Sequence, residues 1–198
     1  MTCWVVIPIK APAACKTRLR PALGEAARRE LVAGMLRHVV EVASAAPGVD
    51  AVRLIGPSRH GLPASVELLP DPGQGLNPAL AAALPAAQAA GAGRLVVLAG
   101  DLPRLTVADL RALASLAPGV LGVAPDRRGE GTNALSLPLP AARDFRFQYG
   151  PKSFAAHSAE AARLGLELQV VRSATLGLDV DEPTDLAALP TALSSPPR

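Results

Sequence analysis

Aromatic side chains are scarce in this sequence: Trp, Tyr and Phe together make up 3% of its 198 residues. Surfaces that stack single-stranded nucleic acid need aromatic faces, so that class is disfavoured. Cysteine is limited to Cys3 and Cys15. Two cysteines without histidine neighbours make neither a disulfide framework nor a zinc site. Charge of one sign is never massed: 20 Lys and Arg face 17 Asp and Glu, for a net charge of +3. A dedicated nucleic-acid surface is therefore not expected. The longest early apolar run, Trp4–Ile9, is too short to cross a bilayer. The chain does not open on a basic region followed by a long apolar stretch and a cleavage site, so a soluble cytoplasmic protein is expected.

Apolar residues are 49% of the chain. That suffices for one domain, expected over residues 1–190, with a disordered tail over 191–198 that ends in SSPPR. With few aromatics, Ala, Leu and Val must fill the core. Strand-length apolar runs are CWVVIPI, AVRLIG (Ala51–Gly56), RLVVLAG (Arg94–Gly100), GVLGVAP (Gly119–Pro125), NALSLPL (Asn133–Leu139) and LELQVVR (Leu166–Arg172). The first and third are continuously apolar, as in parallel strands covered on both faces.

Helical patterns lie between them. Gly24–Ala45 carries a stripe at Leu31, Met35, Val39 and Val42. Pro78–Ala90 is Ala-rich and contains Pro85. Thr106 with Asp109 three residues on resembles a capping box. Ser153–Leu164 and Pro183–Leu189 complete the set. Alternating strands and helices predict an α/β fold, a three-layer α/β/α sandwich on a mostly parallel sheet. NALSLPL breaks the alternation and is expected to pair antiparallel or as an insertion.

In such a fold, ligands bind beyond the carboxyl ends of the strands. The first strand delivers Lys10, Lys16, Arg18 and Arg20 there, a charge set suited to phosphate or to a merely solvated loop. The third delivers Asp101 directly after Gly100. This Asp is poorly placed to cap a helix beginning near Thr106, which favours a metal-holding role over a turn role. LGLDVDEPTDL sets Asp179 and Asp181 two residues apart, on one side of an extended chain. Asp185 falls in the helix begun by Pro183 and suits a capping or first-turn role.

Three glycine-bearing stretches remain. DRRGEGTNAL reads as a hairpin loop or as backbone N–H groups offered to an anion. YGPKSFAAH places Lys152 and Ser153 at a helix start, as an anion pocket or an N-cap. PDPGQGLNPAL allows close approach to a nucleobase edge. His38, His60 and His157 have no plausible nucleophile beside them, and no nucleophile elbow, Walker sequence or dinucleotide fingerprint occurs.

Taken in order, VIPIKAPAACKTRL, GLNPAL, LAGDLPRLT, GEGTNAL, YGPKSF and LDVDEPTDL span residues 5 to 186. They resemble the MobA-like nucleotidyltransferases and, more narrowly, the 2-phospholactate guanylyltransferase family (CofC or FbiD) of coenzyme F-420 biosynthesis. The first loop lacks the glycines of the wider superfamily, as in the narrower family. The resemblance implies a Rossmann-like nucleotidyltransferase fold and transfer of GMP from GTP to the phosphate of phosphoenolpyruvate, 2-phospho-L-lactate or 3-phosphoglycerate, with Mg2+. It implies that Lys16, Asp101 and Asp181 are catalytic and that Asp101 and Asp181, helped by Asp179, hold the metal. Lys10, Lys16 and Arg18 would meet the triphosphate, and Gly75 and Asn77 the guanine. Thr132, Gly150 and Ser153 would hold the acid. Lys152 is left between a contact to the acid's carboxylate and solvent. A molybdopterin or sugar-phosphate nucleotidyltransferase is the alternative, a catalytically silent binding module is a third reading, and a homodimer is left open.

Overall fold

An apolar run can be covered on both faces only if its alternate side chains meet helices above and below. The computed structural model describes residues 2–11 and 15–194 and has this arrangement. Strand β1 (Cys3–Pro8) sends Cys3, Val5 and Ile7 to one face of a sheet. They pack against helices α1 (Glu25–Ala45) and α3 (Val107–Ala114). Trp4 and Val6 point to the opposite face, which is covered by α2 (Leu76–Ala89) over β1 and by α4 (Ser153–Arg163) over β5 and β7. The three-layer sandwich follows directly from this alternation.

The remaining strands are β2 (Ala51–Ile55), β3 (Glu67–Leu69), β4 (Arg94–Leu98), β5 (Val120–Pro125), β6 (Thr132–Pro138) and β7 (Glu167–Val170). They form one seven-stranded sheet in the order β3-β2-β1-β4-β6-β5-β7. β6 runs antiparallel to both β4 and β5, and the other pairings are parallel. The break in alternation at NALSLPL is thus an antiparallel strand, and DRRGEG is the hairpin loop feeding it. Strand β3 was not expected: three residues are too few to show a period, and only pairing with β2 defines them.

The α1 stripe is split. Leu36, Val39, Val40 and Ala43 face the sheet, whereas Leu31 and Met35 join Leu19 and Val180 in a separate cluster. Val42 is only half-buried. The expected capping box is present: Thr106 Oγ1 accepts from the Asp109 N–H, and Asp109 accepts from the Thr106 N–H at 2.9 Å. The stretch after Pro183 is a 3-10 helix over Pro183–Ala188. Within the expected disordered tail, Thr191–Ser194 instead forms a short helical turn, α5, because Leu193 packs on the Leu19–Met35 cluster. Residues 195–198 lie outside the described residues.

One glycine fixes how β1 enters the loop beyond it. Gly56 has φ +152°, and a Cβ there would stand 2.1 Å from the Ile9 carbonyl oxygen. Ile9 donates its N–H to the Ile55 carbonyl at 2.8 Å, so the two chain ends leave the sheet side by side. Gly56→Ala should destabilise the protein by about 2 kcal/mol or more through overpacking and backbone strain, as read by denaturant unfolding. An unchanged midpoint would remove this constraint.

Candidate active site

The basic loop is pinned by one apolar residue. Leu19 is fully buried among Leu31, Met35 and Val180, and it ends a 3-10 turn over Thr17–Leu19. Lys16 precedes that turn with φ 50° and ψ 43°, a left-handed conformation that a lysine adopts only under constraint. Its side chain is thereby turned inward. The ammonium hydrogen-bonds the carboxylates of both Asp101 and Asp181, with 2.7 Å to Asp181 Oδ1. The Lys16 side chain is only 10% exposed. Burial pulls its pKa down, but the charges of Asp101 and Asp181 overcome that and hold it above the usual lysine value.

Each carboxylate is delivered by a different device. Asp101 lies just past β4, after Gly100, where a Cβ would stand 3.2 Å from the Ile7 and Leu36 side chains. Asp181 is set by Asp185 below it. The buried Asp185 carboxylate accepts the Asp181 and Glu182 N–H groups, both at 2.8 Å, and pairs with Arg127. The capping role expected of Asp185 is observed, and it fixes the backbone at Asp181. Burial alone would raise the Asp181 pKa; the charge and hydrogen bond of Lys16 prevail and depress it. Arg18 Nη1 lies 3.8 Å from Asp181 and is largely exposed, a weak contact.

These groups floor a cleft of about 550 Å3 beyond the ends of β1 and β4. Among the expected residues, it brings together Lys10, Lys16, Arg18, Asp101, Thr132, Asp179 and Asp181. Asp179 lies in the same cleft as Asp101 and Asp181. Among the described residues, no three His, Cys, Asp or Glu side chains converge on one metal position. Asp179 is instead contacted by Asn133 Nδ2 at 3.5 Å. Burial, then the negative charge of Asp101, raises its pKa.

Gly75, Asn77, Gly150 and Ser153 do not line the cleft, although Leu76 and Tyr149 beside them do. Gly75 caps α2 with φ 100°. The Asn77 carboxamide clamps a peptide: Nδ2 donates to the Tyr149 carbonyl at 3.0 Å, and Oδ1 accepts the Tyr149 N–H at 2.8 Å. One donor and one acceptor of the Asn77 side chain thus tie α2 to the 149–153 turn. Gly150 has φ 146° and accepts the Ser153 N–H at 3.2 Å. Ser153 is buried at the start of α4, after an exposed Lys152 in the left-handed conformation.

Two residues escaped the sequence reading. Asn133 holds the Leu176 carbonyl at 3.1 Å as well as touching Asp179. His157, fully buried, meets Thr132 Oγ1 and the Gln148 N–H, each at 3.0 Å. Only a histidine on the buried face of α4 signalled it, and that pattern alone does not distinguish packing from a site.

A family model described as "Guanylyl transferase CofC like" matches residues 3–191. The chain belongs to this family. A phosphoenolpyruvate guanylyltransferase from Chloroflexus aurantiacus is 42% identical over 90% of this chain and 89% of its own. A 2-phospho-L-lactate guanylyltransferase from Methanosarcina barkeri is 33% identical over 93% of this chain and 84% of its own. Among solved structures, a nucleotidyl transferase from Methanothermobacter thermautotroptrophicus superposes with a TM-score of 0.65 at 18% identity, covering 95% of each chain. A Mycobacterium tuberculosis protein solved in complex with manganese gives 0.58 at 19% identity, over 94% of this chain and 96% of that one. At such identities the structural likeness concerns the nucleotidyltransferase fold. No helix among the described residues is long and apolar enough to cross a membrane.

The raised pKa of Asp179 has a consequence for stability. The folded state holds this proton more tightly than the unfolded chain does. Its stabilisation is therefore complete at acid pH and is lost as pH rises through the folded pKa. As it ionises with rising pH, the carboxylate becomes a net cost to the ligand-free protein. Asp179→Asn should raise the Tm at pH 7, and the gain should shrink as pH falls. A Tm lowered at pH 7 would contradict this electrostatic account.

Proposed function

We propose that this protein transfers GMP from GTP to the phosphate of a small phosphorylated carboxylic acid, with release of pyrophosphate, in coenzyme F-420 biosynthesis. Phosphoenolpyruvate is the favoured acceptor, because a relative named for it is 42% identical against 33% for one named for 2-phospho-L-lactate. The observation that carries the reading is the Lys16 ammonium gathered with Asp101 and Asp181 at the floor of the cleft.

The chemistry asks little of general bases. An acceptor phosphate oxygen is already anionic. It forms a bond to the α-phosphorus of GTP, the bridging bond to the β-phosphate breaks, and the electron pair leaves with pyrophosphate. Positioning and charge neutralisation then supply the acceleration. This suits a cleft lined by lysines and aspartates. Lys16, with Lys10 and Arg18 at the mouth, meets the triphosphate. The turn at Gly75 and Asn77 borders the guanine end through the neighbouring Leu76, and Thr132 borders the acid end, with the Gly150–Ser153 turn behind Tyr149.

The donor set fits a hard divalent cation. Two carboxylates already gather around one positive charge, and Mg2+ is commonly held by one or two carboxylates plus substrate phosphates. Asp101 and Asp181 would hold it, and when bound it supplies charge neutralisation to the triphosphate. Asp179 stands beside them to adjust the local field.

Pure protein with GTP, Mg2+ and each of the three acids should release pyrophosphate, fastest with phosphoenolpyruvate. Lys16→Met should lower kcat by about 10²-fold or more, and Asp101→Asn should abolish turnover. No release with any acid would sink the proposal. Thermal stabilisation by CTP or UTP but not GTP would instead favour a different nucleotidyltransferase of this fold.

A further inference from the structure

The mechanism above makes no use of His157, yet it is the one buried histidine among the described residues, and it touches the cleft-lining Thr132 and Tyr149. Its ring is fully enclosed, edge-on to Tyr149 at 4.8 Å and tilted against Phe145 at 5.8 Å between centroids. Each ring nitrogen has one partner. The Gln148 backbone nitrogen donates to Nε2 at 3.0 Å. A peptide nitrogen can only donate, so Nε2 must carry the lone pair. In a neutral imidazole the proton then sits on Nδ1. Burial pushes the imidazole down to about 4, against the charge of Glu160, so the ring is neutral at physiological pH.

Nδ1 faces Thr132 Oγ1 at 3.0 Å. The Nδ1–H must therefore donate to the hydroxyl oxygen. A hydroxyl has one proton. Among the described residues, no hydrogen bond other than the one to His157 is recorded for Thr132 Oγ1. Thr132 is only 8% exposed, and it lines the cleft.

We propose that His157 is a positioning residue that fixes the Thr132 hydroxyl as a hydrogen-bond donor into the cleft, so that the acceptor subsite selects an anionic oxygen at that point. The proposal rests on reading this cleft as the guanylyl-transfer site. The chain of polarity is one-way: Gln148 N–H to His157, His157 to Thr132, Thr132 to the ligand. A carboxylate or phosphate oxygen completes it. An acceptor oxygen there meets the hydroxyl proton, whereas a group that can only donate, such as an ammonium, leaves that proton without a partner. The geometry also explains why the 145–149 segment packs onto α4: the Gln148 peptide sets the tautomer, while the Arg146 N–H is held by Glu160 at 2.8 Å.

The test has two arms. In the ligand-free protein, nitrogen NMR of labelled histidine should find His157 protonated on Nδ1, the less usual tautomer. Kinetics with saturating GTP should then separate acid from nucleotide. His157→Phe keeps an aromatic ring in the cage and should raise KM for phosphoenolpyruvate by about 10-fold or more, the scale of one hydrogen bond to a charged group. Its kcat and KM for GTP should stay within about 2-fold. His157→Asn, which can still donate from the Nδ1 position, should recover much of the loss. In a Thr132→Val background, His157→Phe should add no more than about 2-fold, because the hydroxyl through which it acts is gone. An Nε2-protonated ring, an equal rise in both KM values, or multiplicative effects in the double variant would each overturn the proposal. Wild-type protein that turns over none of the acids would overturn the guanylyl-transfer reading instead, and the NMR result would still decide the direction of the Thr132 hydroxyl.

Discussion

The Lys16 ammonium, held between Asp101 and Asp181, is the contact on which the site depends. Its partners lie 85 and 165 residues away in the chain. Three segments must therefore be brought to one point, and each is held by its own device. Leu19 sinks into an apolar cluster and turns Lys16 inward. β4, buried along its whole length, carries Asp101 to the carboxyl end of the central strands. Asp185 and Arg127 lock the backbone at Asp181. A lysine with a left-handed backbone and a buried charge would be costly without this convergence.

The same charges set the protein's division of labour. The lysine depresses the pKa of Asp181, while burial and the charge of Asp101 raise that of Asp179, which meets only the Asn133 amide among the described hydrogen bonds. Two neighbouring aspartates in one short stretch thus differ in character by environment alone. The basic side of the cleft suits a triphosphate. The Thr132 side is governed by a neutral network through His157 that offers a directed hydroxyl in place of a charge. Asn77 joins the two sides by clamping the Tyr149 peptide from α2.

Much of this was legible in the residues. Continuous apolar runs at CWVVIPI and RLVVLAG mark central covered strands, and the carboxyl-end rule puts Lys16 and Asp101 at the same end of the sheet from sequence alone. The antiparallel NALSLPL strand and the Thr106–Asp109 cap were likewise visible. β3 was not, because three residues carry no period and owe their conformation to β2. Nor was the split of α1 between the sheet and the loop cluster, since a helical stripe shows which face is apolar and not what covers it. His157 and Asn77 could not be assigned from spacing: their roles lie in contacts to the Gln148 and Tyr149 peptides, which only the folded turn provides. The short helix at Thr191–Ser194 depends in the same way on a distant apolar pocket that accepts Leu193.

The central claim is that this cleft joins an acceptor phosphate to the α-phosphorus of GTP. Oxygen-labelled phosphoenolpyruvate tests it directly. With 18O in the phosphate oxygens, phosphorus NMR of the products should show label in the new phosphate–phosphate bridge to GMP and none in pyrophosphate. Label appearing in pyrophosphate, or a product without that bridge, would contradict the account.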